Sequence, residues 1–209
     1  MLHLRINPQT FSDGELLPAV EALKSGRIVA FPTDTLYGLG VNPRSKSAVG
    51  KLFGAKQRDR SRPVPLIAPD IEVARSQVGT FSTLAETLAA HFWPGPLTLI
   101  IPASPMVCDQ VHAGTRTVGV RVPDHLVARA LARGAAMAIT ATSANLSGGV
   151  APSTPDEVGA VLGDIVDVLI DAGPSPGGPP STIVDVTGEV PRLVRAGAVP
   201  WERVIKFLR

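Results

Sequence analysis

The chain of 209 residues has a single cysteine, Cys108. An internal disulfide is therefore excluded, and no cysteine-based metal site can be assembled. The four histidines, His3, His91, His112 and His125, are scattered without an HExxH spacing, which argues against a catalytic zinc. Aromatic residues are scarce: six Phe, two Trp and one Tyr. No RNP-type aromatic signature occurs, and stacking platforms are how single strands are usually gripped, so support for an RNA-binding module is thin. There is no GxxxxGK[ST] loop, and any nucleotide must be held in another way. No apolar run approaches the length of a membrane span, and the start MLHLRINPQTFSDGE lacks a basic region followed by an apolar run of signal-peptide length. A cytoplasmic protein without a membrane partner is expected.

What is present suits a globular chain. Hydrophobic residues make up 44% and charged residues 18%, enough to bury a real core, and the length fits one domain over residues 1–209. The formal net charge is only +2, with a pI near 9.0, a mild bias towards anionic ligands.

Short aliphatic and β-branched runs predict strands at 2–6, 28–31, 65–68, 97–101, 117–122, 137–140, 166–170, 182–186 and 192–194. Helix patterns alternate with them through the first two thirds. The first has Leu16, Val20 and Leu23 on one face, Ser12 and Glu15 in capping-box spacing, and Gly26 as its stop. Others are predicted near 47–55, 82–92, 125–132, 155–162 and 201–208. The alternation indicates an α/β fold. After Val166 the strands follow one another through loops such as AGPSPGGPPS, too short for a crossover helix, so part of the sheet is expected to be antiparallel or mixed.

Five places could carry chemistry. In IVAFPTDTLYGLG a strand runs into Thr33, Asp34 and Thr35 before Tyr37, Gly38 and Gly40. Hydroxyls and a carboxylate at a strand end can hold a small polar molecule, but the same residues build ordinary turns. In AKQRDRSRP the cations Lys56, Arg58, Arg60 and Arg62 alternate, and in an extended chain they would share one side, where a phosphate would relieve their repulsion. A solvated basic edge, or a helix end that destroys the alternation, is the competing reading. ITATSANLSGG offers Thr142, Ser143, Asn145 and Ser147 before paired glycines, as donors to a ligand or as a cap or Asx turn. Arg121 lies inside the apolar run VGVRVPD and needs an anionic partner, either a carboxylate of the protein or a carboxylate or phosphate of a ligand. Ser181 and Arg195 flank late strands. Cys108, near His112, reads more simply as a small core residue than as a nucleophile.

In this order PTDTLYGLG, KQR with RPVPLI, GPLTLI, VGVRVPD, TSANLSG, STIVD and LVRAG closely resemble the YrdC/TsaC family of threonylcarbamoyl-adenylate synthases, from about Gly26 to Val199. The resemblance implies an α/β domain whose twisted mixed β-sheet, with flanking helices, lines a basic cleft. There ATP and L-threonine lie side by side. It implies Lys56, Arg58, Ser143 and Asn145 as the catalytic motif pair. It implies Lys56, Arg58, Arg62, Thr117, Ser143, Asn145 and Arg195 around ATP, and Thr35, Arg121 and Ser181 around threonine, with Arg121 on the substrate carboxylate. Three positions depart from the family pattern: Asp59 where a proline commonly stands, Ile67 where many relatives carry a histidine, and Ala151 in place of a serine. Ending at Arg209, the chain is expected to be the short form without an additional C-terminal domain.

The implied reaction joins threonine's amine to bicarbonate or CO2 as a carbamate. That carbamate attacks the α-phosphorus of ATP and expels pyrophosphate, with Mg2+ accompanying ATP and no protein-held metal. The product would serve modification of adenosine 37 of tRNA, which is reached directly or through downstream transfer machinery. The segment 173–180 is the expected closing loop. The rivals are an RNA-binding module without catalysis and a related carbamoyl-transfer or hydrolytic domain on the same fold.

Overall fold

A computed structural model describes residues 1–208. The strands are β1 (Leu2–Arg5), β2 (Val29–Phe31), β3 (Gly38–Gly40), β4 (Leu66–Ile67), β5 (Leu97–Pro102), β6 (Thr117–Arg121), β7 (Ile139–Thr140), β8 (Thr142–Ser143), β9 (Val168–Asp171), β10 (Thr182–Asp185) and β11 (Arg192–Arg195). The helices are α1 (Leu17–Lys24), α2 (Lys46–Ala55), α3 (Ile71–Val73), α4 (Thr83–Phe92), α5 (Asp109–His112), α6 (Leu126–Gly134), α7 (Pro155–Leu162) and α8 (Trp201–Lys206). A 3-10 turn at Asp13–Leu16 leads into α1, and α3 runs on into a π-helical turn at Ala74–Val78.

Local chemistry accounts for the helix ends. The Glu15 carboxylate reaches back to the Ser12 N–H at 2.7 Å, and Gly26, at φ 72°, supplies the left-handed residue that ends the first helical segment. Ser45 and Ser82 cap α2 and α4 by accepting from the N–H groups of Ala48 and Ala85. Thr154 and Glu157 form a full capping box on α7.

The expected mixed sheet is built as two. One has the order β1-β9-β2-β3-β8, the other β11-β10-β5-β6-β4-β7. The late strands are mixed as predicted, but β9 and β10 belong to different sheets: β9 runs parallel to β1 and β2, whereas β10 runs parallel to β5 and antiparallel to β11. Residues 139–143 join the sheets, since β7 pairs with β4 while β8 pairs with β3.

Alternation along the buried strands divides the core in two. Ala30 and Leu39 face a cluster that includes Leu52, Leu88, Leu99 and Val120. Val29 and Phe31 face a second one under α1 and α6, with Leu23, Val127 and Leu131.

Candidate active site

The segment after β2 folds around Thr33. Its hydroxyl donates to the Leu36 carbonyl at 2.7 Å and accepts from the N–H groups of Thr35 and Leu36. Its proton is thereby committed, and Thr35 Oγ1 lies 3.1 Å from it. Arg121, at the end of β6 and buried, reaches this segment from the other sheet. Nη1 donates to Asp34 Oδ1 at 2.7 Å, and Nη2 donates to Thr33 Oγ1 at 3.2 Å and Thr35 Oγ1 at 3.4 Å. Of the partners left open for Arg121, the structure supplies a protein carboxylate. Three of its five N–H donors are used, and two remain. Burial pulls the guanidinium below its ordinary range, and Asp34 opposes that pull.

Ser181 and Arg195 form a second group beside it. Arg195 donates from Nε and Nη2 to the Ser181 carbonyl, at 3.2 and 2.7 Å, and from Nη2 to Ser181 Oγ at 3.1 Å. Ser181 Oγ also lies 2.9 Å from Thr98 Oγ1. Arg195 makes no ion pair with any described residue. Surrounding protein and then the charge of Arg121 lower its pKa, so the two guanidinium groups feel one another.

Lys56, Ser143 and Asn145 form the third group. The buried Lys56 Nζ donates to the carbonyls of Ser143 and Asn145, both at 2.5 Å, and to Asn145 Oδ1 at 3.3 Å. Ser143 Oγ donates to Asn145 Oδ1 at 2.5 Å, and Asn145 Nδ2 donates to the Gly149 carbonyl. Every ammonium proton is therefore spent on holding this turn. Burial first, and repulsion from Arg58 second, lower the Lys56 amine to about 8.

The extended basic segment is not formed. Lys56 ends α2, Gln57 takes φ 49°, and Asp59 accepts from both the N–H and the hydroxyl of Ser61, making an Asx turn. The helix end and turn destroy the alternation of Lys56, Arg58, Arg60 and Arg62. Asp59 thus bends the chain with a side chain where proline would do so with a ring. Arg58 donates to the carbonyls of Arg62 and Pro63, is held below its ordinary pKa by burial and by Arg62, and has no acidic partner among the described residues. Arg62 is exposed beside it.

Thr117 opens β6, and its hydroxyl donates to Thr115. Thr117 stands opposite Pro102 of β5, at the far end of β6 from Arg121, beyond the two residues that pair with β4. Ile67 pairs with Arg121 and is fully buried in the second core cluster. An apolar side chain therefore adjoins the arginine. Ala151 is half-buried, and its neighbour Pro152 accepts from the Tyr37 N–H.

The segment 173–180 is bonded along the Thr33–Tyr37 segment. Tyr37 Oη donates to the Gly173 carbonyl at 2.7 Å, and the Gly177 N–H donates to the Thr35 carbonyl at 2.9 Å. Sequence reasoning offered Asp34 as a carboxylate that could hold a small polar molecule or sit in an ordinary turn, without pairing it with Arg121, and it passed over Thr98 and His125 as site residues. His125 caps α6 by accepting from the Ala128 N–H at 3.5 Å. Burial lowers its pKa against the charge of Asp34. The signal for Asp34 was the unpartnered Arg121, which demanded an acid. Two surface grooves of about 430 and 550 Å³ beside Ala103–Pro105 share none of these residues.

Residues 21–197 match the Sua5/YciO/YrdC family model, described as "Telomere recombination". The threonylcarbamoyl-AMP synthase of Bacillus subtilis (strain 168) is 37% identical over 194 residues, 92% of this chain and 56% of the relative. The chain thus spans little more than half the length of that relative. The threonylcarbamoyl-AMP synthase of Vibrio vulnificus (strain YJ016) is 36% identical over 184 residues, 87% of this chain and 98% of the relative. The solved structure of Pyrococcus abyssi Sua5 complexed with L-threonine superposes with a TM-score of 0.92 at 34% identity, over 99% of this chain and 60% of that one. With a family model spanning most of its length and a matching α/β architecture, the chain belongs to the Sua5/YciO/YrdC family.

Proposed function

We propose that the chain is an L-threonylcarbamoyladenylate synthase, built as one domain. It forms threonylcarbamoyl-AMP and pyrophosphate from ATP, L-threonine and bicarbonate, for modification of adenosine 37 in tRNA. The names of its relatives and the threonine complex of a structural neighbour support the reading. The observation that carries it is the juxtaposition of two unlike half-sites: a buried guanidinium among hydroxyls at Thr33, Thr35 and Arg121, and a polar turn at Ser143–Asn145 beside the unpaired Arg58 and Arg62.

The first half-site suits a small amino acid. Two free N–H groups of Arg121, with Ser181, take its carboxylate. The second suits a triphosphate, with Arg58, Arg62 and Arg195 neutralising charge, Thr117 at its edge, and Ser143 and Asn145 held in place by Lys56. The amine nitrogen of threonine attacks the carbon of bicarbonate or CO2, loses a proton and becomes a carbamate. Water leaves when bicarbonate is the source. A carbamate oxygen then bonds to the α-phosphorus while the bond to the bridging oxygen breaks and pyrophosphate departs. No side chain acts as a nucleophile, and positioning with charge neutralisation supplies the acceleration.

Among the described residues no three His, Cys, Asp or Glu side chains gather to hold a metal ion. Mg2+ would arrive with ATP and screen the triphosphate. Pyrophosphate release by the purified protein should require both threonine and bicarbonate. Equal release without threonine would overturn the assignment.

A further inference from the structure

Asp34 has two carboxylate oxygens in different situations. Oδ1 accepts from Arg121 Nη1 at 2.7 Å, whereas Oδ2 is buried and accepts a hydrogen bond from no described residue. The side chains of the pair are only 10% and 9% exposed. A buried carboxylate oxygen without a donor is costly, more so than a neutral group. Nearby groups do not supply that donor. The hydroxyl proton of Thr33 goes to Leu36, and the Thr35 hydroxyl makes its contacts with Thr33 and Arg121 and none with Asp34 Oδ2. His125 spends Nδ1 on capping α6 and makes no hydrogen bond to Asp34, although the charges of Asp34 and Arg121 both act on its ring.

The charges of the pair cancel, so the site presents an acid and a base side by side with no net charge. That arrangement complements a zwitterion. A cationic donor fits the free oxygen, and an anionic acceptor fits the free N–H groups of Arg121. From this juxtaposition we infer that Asp34 Oδ2 binds the ammonium group of the amino-acid substrate and so orients its nitrogen. The inference rests on the reading of this half-site as a threonine site. It assigns Asp34 the selection of α-amino acids over hydroxy acids of the same shape, and it leaves Arg121 and Ser181 with the carboxylate.

The test uses L-threonine and (R)-3-hydroxybutyrate, which is the same molecule with hydrogen in place of the amino group, titrated by calorimetry into the intact protein. The wild type should bind threonine roughly tenfold to a hundredfold more tightly than the hydroxy acid, the range of one charged hydrogen bond. In Asp34→Asn the amide can still accept from Arg121 but offers an N–H towards the ammonium. Threonine affinity should fall by that same factor, with 3-hydroxybutyrate affinity unchanged. Equal losses for both ligands, or unchanged threonine binding in a folded variant, would overturn the inference while leaving the proposed function intact. If Asp34→Asn does not fold, the wild-type comparison decides alone, and equal affinity for the two ligands would overturn it. Wild type that binds no threonine overturns both readings.

Discussion

Replacing Lys56 with methionine separates a residue that touches the nucleotide from one that holds the turn touching it. The side chain is 1% exposed and donates three hydrogen bonds, all to the Ser143–Asn145 turn. Hydrogen bonds to a charged group contribute roughly 1.5–3 kcal/mol each, or about 5–9 kcal/mol in all. Burial opposes them. Holding the amine at about 8 instead of its ordinary 10.5 corresponds to about 3 kcal/mol against the ammonium. Methionine fills nearly the same volume and removes that penalty, and the half-exposed Ser143 can turn its carbonyl to water. The net loss should be about 2–4 kcal/mol, a fall of roughly 4–16 °C in Tm for a chain of this size. The protein should fold with a disordered turn. Losing one or two donors to phosphate should then weaken ATP binding roughly tenfold to a hundredfold, with threonine affinity changed less than about threefold. Calorimetric titration of each ligand measures both. Unchanged ATP affinity, or equal losses for the two ligands, would refute the role of Lys56 as the positioning residue of the nucleotide half-site.

The same residue gives a pH signature. Its pKa is about 8 when folded and 10.5 when free, so between those values the unfolded chain binds more protons, and stability should rise with pH. The urea midpoint of wild type, relative to Lys56→Met, should climb from pH 8 to 9.5, and parallel curves would exclude the buried ammonium. Arg58→Ala loses two contacts to backbone carbonyls at a partly exposed site, about 1–3 kcal/mol. It should raise the KM for ATP at least roughly tenfold. A large drop in Tm with ATP use unchanged would mark Arg58 as structural. Arg121→Lys keeps a charge for Asp34 but loses the fork that also reaches Thr33 and Thr35. Threonine affinity should fall roughly tenfold to a hundredfold with ATP affinity changed much less, and equal losses would sink the assignment.

The longer helices were legible because their signals are local, whereas the short α3 and α5 were not predicted. The caps Ser82 and Thr154 and the stop Gly26 lie within a few residues of what they terminate. β3 and β8 were not legible, because Gly38, Gly40, Thr142 and Ser143 are turn residues by type. β8 becomes a strand by pairing with β3 across the fold, and β3 by pairing with both β2 and β8. The division into two sheets has the same origin, since β9 and β10 find partners far away in sequence. At the site, Arg121 in an apolar run announced that it needed an anion, but its partner stands 87 positions away. The alternating cations suggested one extended face. A helix end at Lys56 and a side-chain turn at Asp59 override that pattern, and the ammonium turns to carbonyls 87 and 89 positions distant.

That override has a consequence for how charge and position are divided in the site. The residues that fix distances lie on backbone ladders. Gly38 pairs with Ser143, the Ala144 N–H donates to the Tyr37 carbonyl, and the Ala141 N–H donates to the Pro65 carbonyl. The segment bearing Thr33 and Thr35 is thereby fastened by main-chain bonds to the strand that leads into the Ser143–Asn145 turn, and Lys56 holds the turn itself. The unpaired cations Arg58 and Arg62 lie on a turn, and Arg195 lies on an exposed edge strand, so on the proposed function they would neutralise the triphosphate from outside the ladders. A displacement without a protein nucleophile depends on the approach of two bound molecules to near-contact distance, so the rigid part of such a site must set their separation. Charge neutralisation tolerates adjustment in a way that distance does not. Substitutions that break the ladder between β3 and β8 should therefore lower kcat, whereas those at Arg62 or Arg195 should act mainly on the KM for ATP.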